Sequence, residues 1–229
     1  MTFFITHANC LLFITVVLAC LISIPVSALL MHIPNALIGF ESVSHPQIKL
    51  SVYHRLSFIF ICTCLSGVII HTFGFTWIAL ANTILSFGLV LLLYIDFKHY
   101  LLPDCLTLLL LWVGLFCNSL QLFVLTSDAI WGAIVAYLSL KLVGISFKYF
   151  RGSEGIGDGD IKLFALFGAW WGITPLLFVI SFASFLGIFV GLLRMTKDPQ
   201  SLQKPLAFGP YLILAGFIVL FFRGNFIPN

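Results

Sequence analysis

Residues 85–104 read LSFGLVLLLYIDFKHYLLPD, and Asp96 is the first charge that the run meets. Such an apolar run is what a bilayer-spanning helix looks like, since about 20 mostly apolar residues cross a core roughly 30 Å thick. Asp96 closes the span at a helix C-terminus, where the dipole disfavours negative charge. A carboxylate at membrane depth is expensive, and its default reading is a functional site. The plainer alternatives are an ion pair with Lys98 or a side chain that reaches the headgroup layer.

The rest of the chain agrees with that first stretch. Of 229 residues 61% are hydrophobic and only 8% charged, against about 25% charged in soluble proteins, and the mean hydropathy is +1.16. This composition implies a polytopic membrane protein. The net charge of +3 comes from scattered basic residues that form no stripe, so no nucleic-acid partner is expected. The six cysteines lie in or beside apolar segments without a Cys-x-x-Cys pair, and read as small buried hydrophobes with no metal site.

Apolar runs between polar breaks predict an all-α fold of eight spans, near 9–31, 56–73, 76–95, 104–124, 129–147, 161–174, 175–194 and 207–222. The sixth is short and runs into the seventh through Ile173-Thr174-Pro175, so seven spans is the second choice. The N-terminal run has no basic n-region or clear cleavage site and reads as a retained span. The chain divides into residues 1–55, a first span and a short cytoplasmic loop, and 56–229, the multi-spanning domain.

Basic residues accumulate in cytoplasmic loops. With the N-terminus outside, Lys49, Arg55, Lys98, Lys148, Arg151, Lys162, Arg194, Lys197 and Lys204 fall inside, Arg223 falls outside, and Lys141 lies within the fifth span. This orientation puts both termini outside. Every acid except Asp128 then falls at the inner side. Thr126-Ser127-Asp128 reads as an N-cap of the fifth span, and Pro103-Asp104 as a proline followed by an N-cap of the fourth.

Capping explains less of residues 155–162, GIGDGDIK. Gly152, Gly155, Gly157 and Gly159 let the backbone approach a neighbour closely, Asp158 and Asp160 stand at the mouth of the sixth span, and Lys162 follows. Asp96 ends the third span on the same side and at matching depth. Two carboxylates brought together share a proton, because both cannot ionise cheaply; one then activates water while the other protonates a carbonyl.

Three segments together resemble the type IV prepilin peptidases, membrane aspartic proteases of the Gly-x-Gly-Asp class. They are Ile95-Asp96 through Pro103-Asp104 to Thr107, Glu154 through Asp160-Ile-Lys162 to Trp170, and Phe208-Gly-Pro210. The resemblance covers residues 85–222 and implies that Asp96 and Asp160 are the catalytic pair, with Gly157, Gly159, Lys162 and Asp104 supporting the site. The Asp160-Ile-Lys162 continuation selects the second of two overlapping Gly-x-Gly-Asp copies. It also implies a prepilin or secretion pseudopilin as substrate, with a basic leader ending in glycine ahead of an apolar helix, cut at the cytoplasmic face of a bacterial inner membrane. Proteolysis of this kind requires no cofactor. Asp158 and Glu154 are expected to tune the pH profile or attract the basic leader.

The chain departs from bifunctional members of that family, which also methylate the new N-terminus. Ser23-Ile-Pro-Val-Ser-Ala-Leu-Leu-Met-His-Ile-Pro34 stands where those carry Gly-Ser-Phe-Leu-Asn, and His32 to Arg55 holds no cysteine, so the usual four-thiolate zinc site is absent. His32, His45 and His54 read as solvated. S-adenosylmethionine is a cofactor only if methylation is retained. Two other classes compete: a Mg²⁺-dependent membrane phosphotransferase using Asp158 and Asp160, which lacks a second acidic motif, and a transporter or assembly scaffold with Asp96 as an ion site, which lacks an inverted repeat.

Overall fold

The computed structural model describes residues 52–152, 155–197 and 207–226. Among these there are seven helices and no strands: α1 Val52–Phe73, α2 Trp77–His99, α3 Asp104–Ser119, α4 Thr126–Arg151, α5 Asp158–Trp171, α6 Leu176–Lys197 and α7 Gly209–Phe226. They coincide with the second to eighth predicted spans; the first, near 9–31, lies outside the described residues. α2, α4 and α6 are each long and apolar enough to cross a membrane. Helices are the expected answer to such a sequence, because lipid offers no partner for a backbone N–H or C=O and the helix satisfies both internally. Polar side chains inside the apolar runs follow the same rule. Thr63, Ser66 and Thr83 each donate to the carbonyl four residues back, with Ser66 Oγ 2.7 Å from Cys62 O.

The chain forms two compact units, divided between Leu91 and Leu92. In the first, Thr76 caps α2 by accepting the Ala79 N–H at 3.2 Å, and Cys62 is buried as a free thiol while Cys64 is exposed. The second unit carries both acids singled out in the sequence. Its centre is α5, which packs chiefly against α4 and α3 and also meets α7 and α6. Every residue from Leu163 to Gly172 is buried. α5, where the short sixth span was expected, has 14 residues and rises roughly 21 Å at 1.5 Å each; a helix sheathed by protein need not match the hydrocarbon on its own.

Small residues let the central helix sink into its neighbours, as is common for helix pairs in membranes. A Cβ on Gly132 of α4 would stand 2.8 Å from Gly172 Cα, and one on Gly168 of α5 would strike the Gly132 carbonyl. Trp170, fully buried, donates its indole N–H to Leu110 O at 2.8 Å. Asn118 then fastens the C-terminal end of α5 to the turn between α3 and α4. Its amide donates to Ala169 O at 2.8 Å and Trp170 O at 3.1 Å, and accepts from Phe123 N–H and Val124 N–H.

Two expected caps are corrected. α3 has Pro103 at its N-cap, with ψ 126° and no side-chain bond, so Asp104 is the first helical residue and its carboxylate is free to reach elsewhere. α4 has Leu125 at its N-cap; Asp128 stands in the first turn, and Thr126 donates to Asn118 O at 2.9 Å. In both cases the residue that precedes the helix, Pro103 or Leu125, already has the extended backbone that an N-cap requires.

Candidate active site

α2 ends abruptly. Tyr100 takes a positive φ of 55°, and its N–H returns to Asp96 O at 2.9 Å, so the chain turns through Leu101-Leu102-Pro103 into α3. Asp96 is left in the last turn, 4% exposed. The alternative of an ion pair with Lys98 is not what forms: the Lys98 ammonium sits 5.8 Å from the centre of the Tyr94 ring. Asp96 Oδ2 is buried and has no hydrogen-bond partner among the described residues.

What lies against that oxygen is the first residue of α7. A Cβ built on Gly209 would collide with Asp96 Oδ2, and would stand 3.2 Å from Asp160 Oδ1 and 3.1 Å from Leu102 Cδ1. The two carboxylates thus converge on one point of backbone, which only glycine leaves open. Gly209 and Pro210 are buried. The helix that begins there directs its positive N-terminal end at the acids.

Asp160 reaches this point from the first turn of α5. Gly152, at φ 70°, closes α4 in the left-handed conformation that glycine adopts without strain. Gly157 then occupies the N-cap of α5 with an extended backbone, and Asp160 N–H bonds to Gly157 O at 3.1 Å. The two supporting glycines differ in what they do. A Cβ on Gly157 would sit 3.4 Å from Asp160 Oδ2, an ordinary contact, whereas one on Gly159 would sit 2.8 Å from Leu102 Cβ. Gly159 therefore lets α5 close against the α2–α3 turn that carries Asp96.

Lys162 and Asp104, expected near the site, form an ion pair with each other. Asp158 does not join the pair of acids. Lys141 of α4 donates to its Oδ1 at 2.8 Å, and that hydrogen bond, followed by the charge of Lys141, holds the Asp158 carboxyl below the usual carboxylate range. Glu154 lies outside the described residues. Among them no three His, Cys, Asp or Glu side chains are grouped as metal ligands would be. Leu102 and Asn118 carry no signature in the sequence, and Gly209 stands there only within a motif; Lys141, a lysine inside an apolar run, is the one signal that points to an acidic partner.

Described residues that are helical without strands, with membrane-length helices and two carboxylates meeting at a helix N-terminus, define a class. Residues 83–192 match the Type IV leader peptidase family. The chain is 44% identical over 161 residues to a prepilin leader peptidase/N-methyltransferase of Stutzerimonas stutzeri, covering 69% of this chain and 55% of the relative. A protein of the same name from Pseudomonas aeruginosa is 42% identical over 175 residues, 75% of this chain and 60% of the relative. One from Aeromonas hydrophila is 44% identical over 158 residues, 68% and 54%. The chain thus spans between half and two thirds of the length of these relatives. No solved structure matches it significantly.

Proposed function

We propose that this chain is a membrane aspartic endopeptidase that removes the basic leader of a type IV prepilin or a type II secretion pseudopilin. The observation that carries the reading is the convergence of Asp96 and Asp160 on Gly209. Either carboxylate alone is an acid out of place; together they supply a base and an acid on the same side of a peptide bond. In the ionised form one of the two takes a proton from water. The water oxygen attacks the scissile carbonyl, and the protonated partner donates to the carbonyl oxygen. Collapse of the tetrahedral species then breaks the C–N bond, with a proton passing to the leaving amine.

The same reading takes the chain as an eight-span protein of the bacterial inner membrane, with both termini outside and the acids at the cytoplasmic face, where a substrate helix lying in the bilayer presents its leader. Nine of the eleven basic residues support that orientation. Proteolysis draws on no cofactor. The names of the relatives include an N-methyltransferase, but no methyl transfer from S-adenosylmethionine is assigned here, since His32 to Arg55 has no cysteine to build the thiolate pairs of the bifunctional type. Of the two loop acids that would favour a basic leader, Asp158 already holds Lys141.

Co-expression with a prepilin tests the proposal. Wild type is expected to shorten the prepilin by its leader, and Asp96→Asn and Asp160→Asn each to leave it full length. Unimpaired cleavage by the Asp160→Asn chain would refute the assignment.

A further inference from the structure

Two charges lie outside the chemistry above: Lys141, the cation stranded within an apolar run, and Asp158, the acid left over from the overlapping motifs. They meet each other at 2.8 Å. The glycine loop is laid back along α4 to make the meeting. A Cβ on Gly155 would touch the Phe147 ring, 2.7 Å from Cγ, and one on Gly144 would lie 3.9 Å from Ile156 Cβ. Lys141, Gly144 and Phe147 follow at steps of three, one face of a helix. α4 continues from Lys141 to Arg151, roughly 15 Å at 1.5 Å per residue. Asp158 therefore starts α5 well short of the end of α4.

Asp160 stands two residues after Asp158 and two before Lys162. On one side of this turn Asp158 is held by the lysine of α4; on the other Lys162 is held by Asp104, at the start of α3 and just beyond the turn that follows Asp96. The two bridges have opposite polarity. Turning α5 by one residue, about 100°, would break both and carry the Asp160 carboxyl away from Gly209.

We propose that Lys141 and Asp158 are positioning residues, whose bridge anchors the first turn of α5 to α4 and so holds the Asp160 carboxyl in register with Asp96. This rests on the peptidase reading and adds to it a residue outside all three motifs. It gives Asp158 a role different from attracting the leader, because an acid committed to Lys141 attracts a second cation less.

The test uses the full chain in detergent with a prepilin substrate, reading kcat, KM and thermal midpoint. Lys141→Met is expected to lower kcat about tenfold or more, with KM within about twofold of wild type and the midpoint unchanged, as for a group misplaced by a fraction of an ångström. Lys141→Arg should retain most of kcat. A covalent anchor should replace the bridge. Gly144→Cys with Ile156→Cys, added to Lys141→Met, brings together Cβ atoms whose 3.9 Å separation lies in the disulfide range of about 3.5–4.5 Å. Oxidation should then restore kcat and a thiol reductant remove it. Wild-type kcat in Lys141→Met overturns the proposal. So does a defect confined to KM for basic leaders, which would mark leader binding, or a loss of kcat that the oxidised disulfide leaves uncorrected in a chain that melts like wild type. A wild-type chain that cleaves no prepilin would instead overturn the peptidase reading itself.

Discussion

The two ends of α5 are fastened by different chemistry. At its C-terminal end, Asn118 and Trp170 tie the helix with neutral hydrogen bonds, and both side chains are fully buried. At its N-terminal end the ties are charged and partly open to solvent, Lys141–Asp158 and Lys162–Asp104, with side chains 24 to 72% exposed. A buried amide that satisfies otherwise orphaned backbone groups makes a fixed joint, because leaving any of those groups unpaired is costly. Ion pairs reaching out of the bundle contribute less to stability but fix the direction of a side chain. The C-terminal end is thus built for folding, and the N-terminal end for holding a carboxylate where another can meet it.

Substitutions should separate the two ends. At the N-terminal end, Gly209→Ala forces a methyl into Asp96 Oδ2 and is expected to lower cleavage about 100-fold while the chain still reaches the membrane. Rates of leader removal by equal amounts of protein measure this. At the C-terminal end, Asn118→Leu leaves the Ala169 and Trp170 carbonyls and two N–H groups without their partner. The expected loss of stability is about 2–4 kcal/mol, read as a lower midpoint in detergent, with kcat per folded molecule near wild type. Gly132→Ala pushes α4 away from α5 against backbone atoms and should cost about 1–3 kcal/mol, again in stability first. If Asn118→Leu lowered kcat as much as Gly209→Ala, the contrast between the ends would fail.

The smallest effect concerns pH. The Asp158 carboxyl is lowered from its ordinary 3.8, first by the Lys141 hydrogen bond. Its bridge is therefore complete above the ordinary value and is lost only as pH falls through the lowered one. Asp158→Asn should reduce cleavage by one constant factor from about pH 5 to pH 8, with no displacement of the profile. A displaced profile would mean that Asp158 acts on the charge state of the pair and not through its position.

Much of this could be read in the sequence, because the rules involved are local. Apolar runs located all seven described helices, acids at equivalent span ends drew attention to Asp96 and to the mouth of the sixth span, and the resemblance to the prepilin peptidases, through Pro103-Asp104 and Ile161-Lys162, selected Asp96 and Asp160. What stayed hidden depends on contacts across the fold. Nothing near Asn118 signals that it will clasp a helix some fifty residues away. Lys141, placed by the sequence only within the fifth span, meets Asp158 because the glycine loop folds back along α4. The caps assigned to Asp104 and Asp128 failed for a smaller reason: the neighbouring Pro103 and Leu125 take the cap position, which releases Asp104 to pair with Lys162.

Cleavage rates of Asp96→Asn, Asp160→Asn and the double variant, measured on purified chain with one prepilin, bear on whether the two carboxylates act as a unit. Groups that act together are strongly non-additive. Each single change should remove cleavage by about a thousandfold or more, and the double variant should be no worse than either. A single variant that cleaves near the wild-type rate, or losses that multiply in the double, would contradict a shared site at Gly209.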